Sequence, residues 1–130
     1  MLCKIEKTIH TDLPCWARRD VFQHLAGRSL AQRNSQQIEN LYCTAWFRPD
    51  MDGLHFFSPP AFELRGGEAH GINGRHRATL LMLHMDPFPL LITMVHDDSQ
   101  AAFAKLVVRE ISSEEIICLP DLPKRTCPAG

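Results

Sequence analysis

One stretch concentrates the residues able to do chemistry: His70-Gly71-Ile72-Asn73-Gly74-Arg75-His76-Arg77-Ala78. Asn73-Gly74 reads as the end of a strand, and the apolar spacing from Ala78 onward reads as a helix. Arg75, His76 and Arg77 then fall in that helix's first turn. Acidic residues are the usual choice there, because the helix macrodipole is positive at its start. Cations in that turn cost about 0.3–1 kcal/mol each. A sequence that accepts the cost is often building an anion site, where free N–H groups, dipole and guanidinium forks face one phosphate. Gly74 would let the ligand approach the backbone closely, with the arginine heads open to solvent. His76 would donate a hydrogen bond or move a proton, with His70 and Asn73 as accessory groups. For His70, a plain bond to a carbonyl is an equal reading. Arginines at helix starts and Asn-Gly turns are also common without function, so spacing alone leaves the site open.

The elements that must position this turn follow from periodicity. Leu2 to Ile9 reads as a short strand, and residues 13–26 as an amphipathic helix with Pro14 near its start. Ala17, Val21 and Leu25 supply the apolar face of that helix, and Gly27 its stop. A weaker helix is expected over Leu30 to Glu39, a strand over Asn40 to Phe47, and a loop over RPDMDGLHFFSPP. Phe62–Arg65, Gly66-Gly67 and Glu68–Ile72 spell a hairpin with a two-glycine turn. The helix after Gly74 ends at Pro87 and Pro89, and Leu90 to Val95 is a strand. His96-Asp97-Asp98-Ser99 reads as the cap of a further helix, whose faces Phe103, Leu106, Val107 and Glu110 mark. Ile116 to Leu119 is a last short strand. This order predicts a small α/β (α+β) domain over 1–120, with a proline-rich tail over 121–130.

Other polar groups carry weaker signals. Asp50 and Asp52 in the long loop are candidates for Mg²⁺ or base chemistry, although loop aspartates are usually just solvated. Glu63 and Glu68 bracket the glycine turn, and pairing with Arg65 is the simplest role for them. Glu114 and Glu115 belong to a segment, 97–121, with six acids against two bases, which reads as a solvated or partner-facing surface. Trp46, Phe47, Phe56 and Phe57 stack on a base if exposed and pack in the loop or core if not. Cys43 reads as buried and inert.

Composition closes several doors. At 130 residues the chain supports one core, and 45% hydrophobic with 22% charged residues is ordinary for a globular domain. Its 14 basic and 15 acidic residues leave a formal charge of -1, so no global field advertises nucleic acid. Ten of those bases are arginines, the residue suited to bidentate phosphate contacts. No apolar run reaches membrane-spanning length, and the first residues lack a signal-peptide pattern. Five scattered cysteines without a C-x-x-C pair fit reduced thiols and a cytoplasmic location. No histidine or cysteine pattern supports a metal site.

The segment HGINGRHRATLL, followed by PFPLLITMV, resembles the ParB/sulfiredoxin-like superfamily. Gly74, Arg75, His76, Arg77 and Ala78 match its G-x-x-R motif, which opens a helix after a strand. The likeness covers roughly residues 61–95. It implies a small mixed-sheet fold whose turn binds nucleotide phosphates, with Arg77 gripping them and His76 alongside. The function it implies is a standalone nucleotide- or nucleic-acid-binding domain, as an NTPase or DNA-acting accessory protein of a mobile element. A nucleoside triphosphate with Mg²⁺ would be the cofactor, and a nucleotide or nucleic acid the partner. The alternative is a regulator of a protein target that keeps the fold without catalysis. Sulfinic-acid reduction is not expected, because Arg75 stands where the reductases carry their cysteine. The base-holding segment and DNA-binding domain of partition proteins have no counterpart in the sequence, which disfavours sliding on DNA.

Overall fold

The computed structural model describes residues 1–6, 11–30, 46–49 and 54–120. Among them the strands are β1 (Leu2–Ile5), β2 (Leu13–Ala17), β3 (Phe47–Pro49), β4 (His55–Phe57), β5 (Ala61–Arg65), β6 (Glu68–Asn73), β7 (Phe88–Val95), β8 (Val107–Glu110) and β9 (Ile117–Cys118). The helices are α1 (Arg19–Ala26), α2 (Arg75–His84) and α3 (Gln100–Leu106). The strands form two mixed sheets, ordered β3-β4-β1-β9 and β6-β5-β7-β2-β8. The chain is thus an α+β domain. No described helix is long and apolar enough to cross a membrane. All but Leu30 of the helix expected from Leu30 to Glu39, residues 40–45 of the strand expected before Phe47, and the tail lie outside the described residues.

The larger sheet positions the site. Directly paired residues share a face, so Cys15 with Leu90, Ala17 with Phe88, and Phe62 with Ile92 form one apolar surface. α1 covers it by inserting Phe22, whose ring meets Phe62 at 4.8 Å and Phe88 at 5.1 Å, both edge-on. The β5–β6 hairpin turns on Gly66 and Gly67, with φ of 62° and 72°, as a two-residue turn of this hand demands.

Several expectations need correction. Residues 13–17 are not the start of a helix but strand β2, paired with both β7 and β8. The four-residue spacing of Ala17, Val21 and Leu25 spans a strand–helix junction, and pairing on both edges outweighed it. Burial there, helped by Glu110, pushes the Cys15 thiol up to about 12, so it is inert. Residues 107–110 likewise leave the helix at Leu106 and become β8, pairing with β2. The expected loop holds strand β4, whose fully buried Phe57 packs on Phe47 with ring centroids 5.3 Å apart.

β7 also starts earlier than expected, at Phe88, and so contains Pro89. A central strand rarely tolerates proline, because the ladder loses a donor. Here β5 pairs with β7 only from Leu91 onward, so Pro89 faces β2 alone.

Candidate anion site at the start of α2

β6 delivers the chain to Gly74, which has φ +86° and ψ 33°, and α2 begins at the next residue. Only glycine takes this left-handed backbone without strain. The N–H of Ala78 donates to the Gly74 carbonyl at 2.9 Å and closes the first turn. The N–H groups of Arg75, His76 and Arg77 therefore have no acceptor within the helix. No acidic residue sits in this turn and no side chain caps it.

The strand-to-helix junction, the place of the three residues and the exposed head of Arg75 match expectation, but the head of Arg77 does not. Arg77 is only 6% exposed. Helical side chains lean toward the N-terminus, so its guanidinium folds back against Gly74. A Cβ at Gly74 would lie 2.8 Å from Arg77 Nε and Nη2. The space expected to admit a ligand thus admits Arg77. Its Nη1 donates to the Ser58 carbonyl at 2.6 Å, and its Cζ lies 5.6 Å from the centre of the Trp46 ring. Among the described residues no carboxylate pairs with it. Burial pushes its pKa downward.

Arg75 remains exposed, its stem lying across Gly71 and its Nη1 3.4 Å from the Ser29 carbonyl. His76 is half-buried in the same turn, and Asn73 is exposed at the end of β6. His70 does not join them. Its Nε2 lies 3.2 Å from the Arg65 carbonyl, toward the hairpin tip, which is the plain reading of that histidine. Among the described residues no cluster of three or more His, Cys, Asp or Glu is placed to hold a metal.

Elsewhere the acidic groups find structural partners. Glu63 lies 3.8 Å from Arg65 and 3.5 Å from His96 Nε2. Asp98 does not cap a helix through its side chain. It accepts from the Gly66 N–H at 2.9 Å while the Ser99 hydroxyl takes Gly67, so the pair holds the hairpin tip. Glu115 is not simply solvated. Arg109 grips it with two bonds of 2.8 and 2.7 Å, and Trp16 Nε1 reaches it at 3.3 Å. These bonds hold its carboxyl at about 2, against an ordinary 4.5. Asp50, Asp52 and Cys43 lie outside the described residues.

No family model, curated protein or solved structure matches the chain at a significant level. Sequence reasoning missed the Ser58 carbonyl and the role of Gly71. A main-chain acceptor leaves no residue signature. Gly71 did leave one: a glycine inside a strand signals a close approach.

Proposed function

We propose that this domain binds phosphate at the start of α2, as a nucleotide- or nucleic-acid-binding domain of the ParB/sulfiredoxin-like kind. One observation carries the reading: Arg77 is buried at the positive end of a helix, with no carboxylate beside it among the described residues. Removing a guanidinium from water costs several kcal/mol unless it is paired. One carbonyl and one aromatic face satisfy only part of its five donors. A phosphate at the turn would complete the set, accepting from Arg77 beside the positive end of the helix. Arg75, exposed at the rim, would supply the second cation.

Calorimetric titration with nucleoside triphosphates and short single- and double-stranded DNA tests this. The wild type should bind at least one of them. Arg77→Ala should weaken binding about ten- to a hundred-fold, the worth of one charge-assisted hydrogen bond. Arg75→Ala should cost less, because water replaces a group at the rim. Flat wild-type isotherms across the panel would sink the proposal.

A second reading has its own observation. Ile72 and Met94 are 57% and 55% exposed on strands of the same sheet, which favours a regulator that binds a protein target. It expects flat isotherms, with capture of one defined partner that Ile72→Ser and Met94→Ser abolish.

A further inference from the structure

The geometry points to Gly71 as a positioning residue, which seats Arg75 so that its cation is already in place when an anion arrives. The inference rests on the phosphate reading and deepens it. Gly71 is not needed for backbone reasons, since positive φ occurs at Gly66, Gly67 and Gly74 but not there. Its missing side chain matters for space instead. A Cβ at this position would lie 2.7 Å from Arg75 Cγ and 2.9 Å from Cδ, closer than real contacts allow. The next neighbour, Phe62, would stand at an ordinary 3.5 Å. The glycine thus leaves room for one thing, the Arg75 stem.

Ser29 secures both members of the contact. Its hydroxyl accepts from the Gly71 N–H, and its carbonyl from Arg75 Nη1, each at 3.4 Å. Both bonds are long and exposed, so stem packing sets the pose more than hydrogen bonding does. Gly74 repeats the device for Arg77. Two glycines three residues apart each receive the arginine side chain that folds back over them. Holding a long cationic side chain in one rotamer before binding removes an ordering cost from the binding step. Seating two of them at the positive end of one helix suits an anion.

Titration with inorganic pyrophosphate, followed by NMR, separates seating from simple packing. Arg75→Met keeps the apolar stem and loses the charge, so it should stay folded and bind more weakly. Gly71→Ala should displace a flexible side chain at little cost to the fold. It should weaken binding about two- to tenfold, the cost of ordering one long side chain. In the Arg75→Met background Gly71→Ala should add nothing. Arg75→Lys should recover part of the affinity. If Gly71→Ala binds like the wild type while Arg75→Met does not, the seat is irrelevant and the inference falls alone. Equal weakening in both backgrounds would mean that Gly71 acts through the fold, which also overturns it. A wild type that ignores pyrophosphate as well as the nucleotide panel would remove the phosphate reading and this inference together.

Discussion

Arg109 and Arg77 carry the same charge in opposite surroundings. Arg109 stands on β8 with its side chain 56% exposed, and Glu115 neutralises it through two short bonds. Arg77 is 6% exposed at the start of α2 and has a carbonyl and an indole ring as its neighbours. The surface arginine, which water would have served well, has a carboxylate. The buried one, which most needs a counter-charge, has none among the described residues. A clasp is built by neutralising charge where it is cheap to do so. An anion site is built by leaving charge unneutralised where that is expensive.

The largest effect should come from removing the space that Arg77 occupies. Gly74→Ala forces a left-handed backbone onto a residue with a Cβ and drives that Cβ into the guanidinium. A loss of about 2–3 kcal/mol should appear in urea unfolding, from backbone strain and a displaced charged hydrogen bond. Unchanged stability would show that the cradle is not fixed.

Arg77→Ala follows. The sequence alone suggests that removing a cation from a helix start is neutral or mildly stabilising. Burial reverses that expectation, because the Ser58 carbonyl loses its donor and the ring of Trp46 its neighbour. About 1–2 kcal/mol should be lost, since an orphaned carbonyl and the cavity left by a buried stem outweigh the relief of a desolvated charge at the dipole. Arg77→Lys should not restore the wild-type value, because an ammonium lacks the planar fork. Full rescue by lysine would make Arg77 a point charge and weaken the contrast with Arg109.

The clasp should matter less and respond to acid. Glu115 is held at about 2, chiefly by Arg109, against an ordinary 4.5. Its folded-state pKa is depressed, so its contribution is complete above about 4.5 and disappears as pH falls toward 2. Wild-type melting temperature should decline across that window more steeply than in Glu115→Gln. The difference should be small and should shrink in salt, as expected of an exposed pair. Parallel acid profiles for the two proteins would show that the clasp is only geometric.

The smallest effect should be local. Asp98 sits below the ordinary carboxylate range, chiefly through the Gly66 N–H. Asp98→Ala should speed amide exchange at Gly66 and leave global unfolding unmoved. Slow exchange in that variant would mean that the glycine turn holds its tip without help.

Much of this was legible in the residues. The two-glycine hairpin, the break at Asn73-Gly74 and the cationic first turn of α2 are all local features, each written in two or three consecutive residues. β2 and β8 were misread because each is short and sits beside a helix with compatible spacing. Leu13–Ala17 became a strand because β7 and β8 flank it, and both lie more than seventy residues further along the chain. The site divided in the same way. Arg75, His76 and Arg77 were found from type and position, whereas the burial of Arg77 was not, because burial depends on what packs over a side chain.

The sequence by itself therefore determined where the chain turns, where α2 starts and which cations stand at its start, since these depend on backbone preferences of neighbouring residues. The tertiary structure alone decided which arginine is buried and which is seated. Arg77 meets a carbonyl 19 positions away, Arg75 one 46 positions away, and the hairpin tip a carboxylate 32 positions away. Periodicity reports on neighbours within a turn or two. Burial and charge neutralisation are settled by contacts that exist only once the sheet has closed.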